Sequence, residues 1–226
     1  MATVNIGNNT GNSGGLQDNR LDFAQTTFNY GIHPSGLTGP YGSRILRELQ
    51  RFDLSSISAG ATCNSAVLYL YDKDWASRTA DCTITLYKIA DANGNWVEGT
   101  VNGDAETGSP CWGYKAYHAT TPTGWAGSAG LSTAGTDYVD TSLGSTIFTD
   151  GVSGYRAITL NADGRAVLES WFGGTGGNGL VLIGTGLSGA WTEWQSRQGT
   201  DTQRPYLAID YTEAGAGNPW YAYAQQ

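Results

Sequence analysis

The sequence predicts an all-β domain, an antiparallel two-sheet β-sandwich (jelly-roll-like) with one short helix near residues 162–172. Three observations predict it. The apolar segments are short, and most alternate with period two. Clusters of Gly, Asn, Ser and Thr separate them, in a chain holding 33 glycines. Aromatic residues are abundant, with 13 Tyr and 8 Trp, which suits pleated, half-buried surfaces. No regular strand–helix alternation appears, so a parallel α/β sheet is not expected. The length of 226 residues suits one large β domain.

The elements follow in chain order. Residues 1–17 are Gly- and Asn-rich and read as an N-terminal arm, residues 18–212 as the sandwich, and residues 213–226 as a Gly-linked aromatic tail. The first clear strand is 45–54, ILRELQRFDL. Leu46, Phe52 and Leu54 share one parity, but Glu48 and Gln50 break the pattern by falling on the same side. Residues 66–71, AVLYLY, are apolar or aromatic throughout, and the expectation is a strand covered on both faces. In 83–89, Ile84 and Leu86 oppose Thr83, Thr85 and Tyr87. DANGN at 91–95 is a turn signal. From 96 to 140 the pattern dissolves, and so long an irregular stretch in a compact domain is often functional. Residues 155–160 form another strand. A helix follows, capped by Asn161 or Asp163, with Val167/Trp171 and Leu168/Phe172 as i,i+4 pairs and Gly173-Gly174 as the stop. Residues 179–184 read as a buried strand. In 206–211, Leu207, Ile209 and Tyr211 face inward and close the sheet.

Composition excludes several partners. The net charge is −8 with only 12 Lys and Arg, which disfavours nucleic acid and anionic membranes. The three cysteines, Cys63, Cys82 and Cys111, show no C-x-x-C spacing and read as reduced, buried thiols. The first residues, MATVNIGNNTGNSGG, carry no basic region and no apolar run, so no signal peptide is expected. No apolar stretch is long enough to span a bilayer.

Candidate chemistry is sparse, and the chain is not expected to be an enzyme. His33 and His118 are the two imidazoles, and neither lies in a nucleophile motif. Glu98, Asp104, Glu106 and Glu193 lie in or near irregular segments, where paired carboxylates would serve a hydrolase or lyase. Asp91-Ala92-Asn93-Gly94-Asn95 resembles the start of a calcium loop, but the twelfth position is Asn102, so an Asx-type turn is the better reading. No cofactor or metal site is expected, and a structural calcium elsewhere stays open. Aromatic rings are the more interesting class, because sugar rings stack on them. Trp112, Tyr114, Tyr117 and Trp125 lie in the irregular segment, and Trp191 and Trp194 lie in a second loop. These six are the carbohydrate-binding candidates; the competing reading is that the rings plug the ends of the sandwich. The tail carries Trp220, Tyr221 and Tyr223 behind a Gly-rich linker. It reads either as an assembly anchor or as a further strand of its own domain.

Several pieces in order resemble the DNRLRE-type domain, which is related to disaggregatase-associated repeats and a carbohydrate-binding module family. They are Asp18-Asn19-Arg20-Leu21, Phe28-Asn29-Tyr30-Gly31 and Leu49-Gln50-Arg51-Phe52-Asp53-Leu54, then Ala66-Val67-Leu68-Tyr69-Leu70, Trp96-Val97-Glu98-Gly99, Asn178-Gly179-Leu180 and Arg204-Pro205-Tyr206-Leu207. The late Ser196-Arg197-Gln198 departs from the family's acidic position. The resemblance implies a jelly-roll sandwich with no catalytic residues, found in extracellular proteins and in phage structural proteins, some binding acidic polysaccharide. The expected function is therefore a non-enzymatic virion structural or decoration protein at the virion surface. Its expected partners are other structural subunits, as a homo-oligomer or larger assembly, and polysaccharide. The alternatives are a carbohydrate-binding module of a secreted protein and a polysaccharide lyase or hydrolase.

Overall fold

The structure is a computed structural model that describes residues 1–7, 15–74 and 78–215. It is all-β and sandwich-like, with fifteen strands and one α-helix among the described residues. In one half, β15 (Tyr206–Thr212) lies between β1 (Ala2–Ile6) and β6 (Thr62–Asp72), while β12 (Gly154–Thr159) pairs the other side of β6. In the other half, β5 (Arg44–Phe52) pairs with β2 (Leu16–Asp22) and β13 (Leu180–Thr185). β13 continues to β7 (Cys82–Lys88) and β11 (Gly144–Phe148). All named pairings are antiparallel.

One strand joins the halves. Residues 35–38 of β4 (Ser35–Tyr41) pair with β14 (Thr192–Gln195), and residues 39–41 pair with β5. The turn between the two partners falls at Gly39, whose φ is +108° and where a Cβ would meet the backbone of Ala190 at 2.6 Å. Only glycine fits both constraints.

Strand parity decides what the sandwich holds. Ala66, Leu68 and Leu70 of β6 and Leu207 and Ile209 of β15 belong to one buried cluster with Ile84 and Leu86 of β7 and Leu180 and Leu182 of β13. The opposite faces differ between the halves. On the β5 half, Leu21, Leu49 and Val181 are covered by Trp96, Trp112, Trp125 and Leu131, which make a second core. The irregular 96–140 stretch is thus a packed cover. It holds three short strands, β8 (Asp104–Ala105), β9 (Tyr114–Ala116) and β10 (Thr123–Gly124); β9 pairs with β10, and β8 pairs with β3 (Phe28–Asn29) from outside the stretch. Asp137 pins the cover: its carboxylate accepts from the backbone N–H of Gly127, Ser128 and Thr133 at 2.8–2.9 Å and from Asn93 Nδ2 at 3.0 Å.

The helix α1 (Ala162–Glu169) starts where the sequence predicts, with Asn161 Oδ1 accepting from Gly164 N at 2.9 Å. It stops at Glu169, short of the expected 172. Trp171 and Phe172 then lie in a turn, with Phe172 still in the core.

Three expectations are corrected. Residues 2–6 do not stand off as an arm; they pair along β15 in register from Ala2↔Tyr211 to Ile6↔Leu207, and residues 16–17 already belong to β2. Ile6 and Leu16 are core residues, so apolar burial draws the N-terminus in. Trp194 is not in a loop, because 192–195 pair with β4 as β14, while Trp191 lies just before that strand. Finally, β6 is covered on one face only: Tyr69 and Tyr71 are half-buried on the outside.

Candidate functional site

The polar break noted in β5 leads to the site. Leu46, Glu48, Gln50 and Phe52 share the interior face, and Asp18↔Gln50, Arg20↔Glu48 and Asp22↔Leu46 are paired across to β2. A charged row therefore enters the sandwich beside its apolar core. Above it opens a cleft of about 330 Å³, lined by side chains of β2, β4, β5 and the β14 segment.

Its walls mix rings with cations. Tyr41, 42% exposed, meets Trp191 edge to face at 4.9 Å. The Arg44 guanidinium lies 5.9 Å from the Tyr41 ring and binds Asp22 through both Nε and Nη2. Arg20 stacks over Tyr30 at 3.8 Å, and its buried Nε reaches no acceptor. Among the described residues Arg20 forms no ion pair.

The other titratable groups of the cleft are engaged. Glu193 accepts from Ser35 Oγ at 2.5 Å and pairs with Lys73 at 2.5 Å, while Lys73 Nζ also donates to Ser35 Oγ at 2.9 Å. His33 Nδ1 lies 3.0 Å from the Ser35 carbonyl oxygen and 3.1 Å from Ser35 N, so the Ser35 backbone holds the ring in either tautomer. Burial, then the nearby Arg20 charge, lowers the His33 pKa, so the ring is neutral at physiological pH.

Below the cleft lies a buried acid cluster. Asp18 Oδ2 accepts from Arg197 N at 2.7 Å, Glu98 accepts from Asp18 N at 2.9 Å and pairs with Arg197, and Glu48 accepts from Leu37 N at 3.2 Å. Burial, then the Glu98 charge, pushes the Asp18 carboxyl up to about 8. Burial, then Asp18, raises Glu48 well above the carboxylate range. Asp18 is therefore mostly protonated at neutral pH, and burial favours the neutral form of Glu48 across from Arg20. Gln50 is fully buried, and neither atom of its amide finds a partner.

The sequence-predicted site residues divide. Trp112, Trp125 and Trp194 are buried in the two cores, so they cannot offer a face to a sugar; Trp125 Nε1 is spent on the carbonyls of Cys111 and Trp112 at 3.1 Å. Trp191 is also mostly buried and contributes only to the wall of the cleft. Tyr114 and Tyr117 remain half-buried on the cover, 6.0 Å apart. Trp220, Tyr221 and Tyr223 lie outside the described residues. Among the acids, Glu193 reaches the cleft and Glu98 lies beneath it. Glu106 is held by Thr100 and Ser109, while Asp104 is exposed and accepts from Ala105 N. The DANGN segment forms a 3-10 turn in which Asp91 points out to Lys88 and Asn178 while Asn93 turns inward to Asp137, so the two do not converge as calcium ligands. The three cysteines are free and buried, as expected.

Sequence reasoning missed Arg20, Asp22, Tyr41 and Arg44 as a group. The available signal was Glu48 and Gln50 on the apolar parity of their strand, because a polar pair inside a sandwich implies an interior site. No protein-family model matches the chain, and no curated protein matches it.

Proposed function

We propose that this chain is a non-enzymatic β-sandwich display domain whose cleft between β2, β4 and β14 binds an acidic saccharide. The observation that carries the reading is Arg20, a cation that forms no ion pair among the described residues, oriented by Tyr30 and lining the same cleft as an exposed Tyr41. Tyr41 offers a stacking surface and Arg20 a planar donor pair for a carboxylate. Binding fits better than catalysis for a specific reason. Asp22 and Glu193, the carboxylates lining the cleft, are each matched by a cation, so neither stands ready as a general base. A chain of net charge −8 repels a polyanion at long range, so attraction must be local, as Arg20 supplies it.

Titration of the full chain with oligoalginate and oligogalacturonate tests this. Arg20→Gln should weaken binding by roughly tenfold to a hundredfold, as loss of a charge-assisted hydrogen bond implies. Unchanged affinity in Arg20→Gln, or the release of unsaturated product by the wild-type chain, would refute the reading.

The display half of the proposal rests on the sequence of 218–226 and on the resemblance to phage structural proteins. In this reading the aromatic tail tethers the domain to other subunits of a virion. Deletion of 218–226 should leave the fold and saccharide binding intact and abolish incorporation into the particle. Incorporation at the wild-type level would remove the anchor.

A further inference from the structure

The outer face of β6 carries a feature that the cleft does not use. Ala66, Leu68 and Leu70 point into the core, so Tyr69 and Tyr71 point away from it. The register puts Tyr155 opposite Tyr71 and Tyr206 opposite Tyr69, on the same outer face. Tyr69 and Tyr206 stack at 4.7 Å with 14° between planes. Tyr155 stands edge-on to Tyr71 at 5.3 Å and to Tyr206 at 5.5 Å, and it is 39% exposed. Its hydroxyl donates to the carbonyls of Thr202 and Arg204 at 3.0 and 3.2 Å, which fixes the ring. The same register places Val67, Ala157 and Ala208 beside the rings, so no bulky side chain rises from the neighbouring positions of the sheet.

We propose that this tyrosine platform is a second binding surface, taking an uncharged glycan chain laid flat across β12, β6 and β15. The argument is one of charge and size. The paired positions 67, 69, 71, 155, 157, 206 and 208 carry no charged side chain, and Asp210 continues the same face of β15. A neutral ligand meets no penalty there, whereas a polyanion meets Asp210 and the overall −8 charge. Nucleic acid would stack on the rings, but it needs a cationic track, and the paired positions of this face carry no cation. A second copy of the chain needs far more area: a standard interface uses roughly 20–30 residues a side, and this patch is four rings with small residues between them. Fixed rings with phenol groups instead match the alternating apolar and hydroxyl character of a sugar chain, since Tyr gives a large, amphipathic contact at low entropy cost. Burial, then the neighbouring phenols, holds Tyr155 and Tyr206 above the usual phenol range, so both phenols stay neutral.

Affinity electrophoresis of the full chain in gels containing hydroxyethylcellulose, xyloglucan, galactomannan or dextran tests the surface. At least one of these should retard the wild-type chain. Tyr155→Ala and Tyr206→Ala should each weaken that retardation by about tenfold or more, as truncating a central interface aromatic does. Tyr155→Phe should retain most of the binding, and thermal unfolding of each variant separates lost binding from lost fold. Arg20→Gln should leave it unchanged, which keeps this surface distinguishable from the cleft. No retardation by any of the four polymers overturns the proposal. So does retardation that survives both alanine variants, or a sedimentation shift in Tyr155→Ala that reveals a second copy on the face.

Discussion

Asp18→Asn isolates the buried acid beneath the cleft. In the folded chain its carboxyl is pushed up to about 8 from the ordinary 3.8, chiefly by burial and then by Glu98. Because the folded value is raised, the folded state keeps a proton that the unfolded chain has released above pH 3.8. Stability is therefore greatest in acid and falls as pH rises toward 8. Each pH unit in that window costs about 1.4 kcal/mol, so by pH 7 the group alone removes ~4 kcal/mol, a large part of a typical ~5–15 kcal/mol. Asparagine removes the titration and keeps the geometry, since its Oδ1 can accept from Arg197 N and its Nδ2 can donate toward Glu98. Glu48 has a raised pKa with the same sign, and above pH 8, where Asp18 is ionised, its replacement relieves Glu48 as well. Urea unfolding of wild type and Asp18→Asn at pH 5, 7 and 9 reads the effect. The variant should match wild type near pH 5 and exceed it by ~2–4 kcal/mol at pH 9. Wild-type stability that is flat from pH 5 to 9, or a variant weaker than wild type at pH 9, would refute the reasoning.

Three further perturbations probe the frame around the site. Asn161→Ala removes the side-chain acceptor for Gly164 N and should lower stability by about 1 kcal/mol in thermal unfolding. Asp137→Ala strands three backbone donors of the cover, so amide exchange at Gly127, Ser128 and Thr133 should accelerate while exchange in β6 and β15 does not. Burial favours the neutral form of Asp137, but hydrogen bonds from Thr133, Gly127, Ser128 and Asn93 outweigh it and lower the pKa, so its contribution is present above pH 3.8 and is lost as pH falls through the folded value. Gly36→Ala should destabilise by about 1–3 kcal/mol in the same unfolding assay, because the new Cβ would lie 2.4 Å from the buried Trp194 indole.

Much of the fold was legible because burial on one side of a strand imposes period two on its side chains. Ile84/Leu86 and Leu207/Ile209 announced their inward faces, and Asn161 announced the helix start. The N-terminal strand was not legible: ATVNI sits beside a long run of turn-forming residues, and only its partner β15 makes it a strand. Likewise 192–195 read as loop because Thr, Glu, Trp and Gln carry no alternation that survives without β4 alongside. The functional reading of the tryptophans failed for a related reason. Ring type says that a residue wants contact area, but not whether a sugar or Leu49 supplies it.

The sequence by itself determined the class of the protein and the strand faces, because those depend on local periodicity and turn chemistry. It also marked the site, through a Glu and a Gln placed where the apolar side of a strand should be. Only the tertiary structure decided what that mark means. Arg20, His33, Tyr41, Arg44 and Glu193 are distant along the chain and meet only because β4 turns at Gly39 from one half of the sandwich to the other. Which charges survive there was likewise decided in three dimensions. Burial raises the pKa values of Asp18 and Glu48 and so favours their neutral forms, and burial is a property of the packed sandwich rather than of any residue in it.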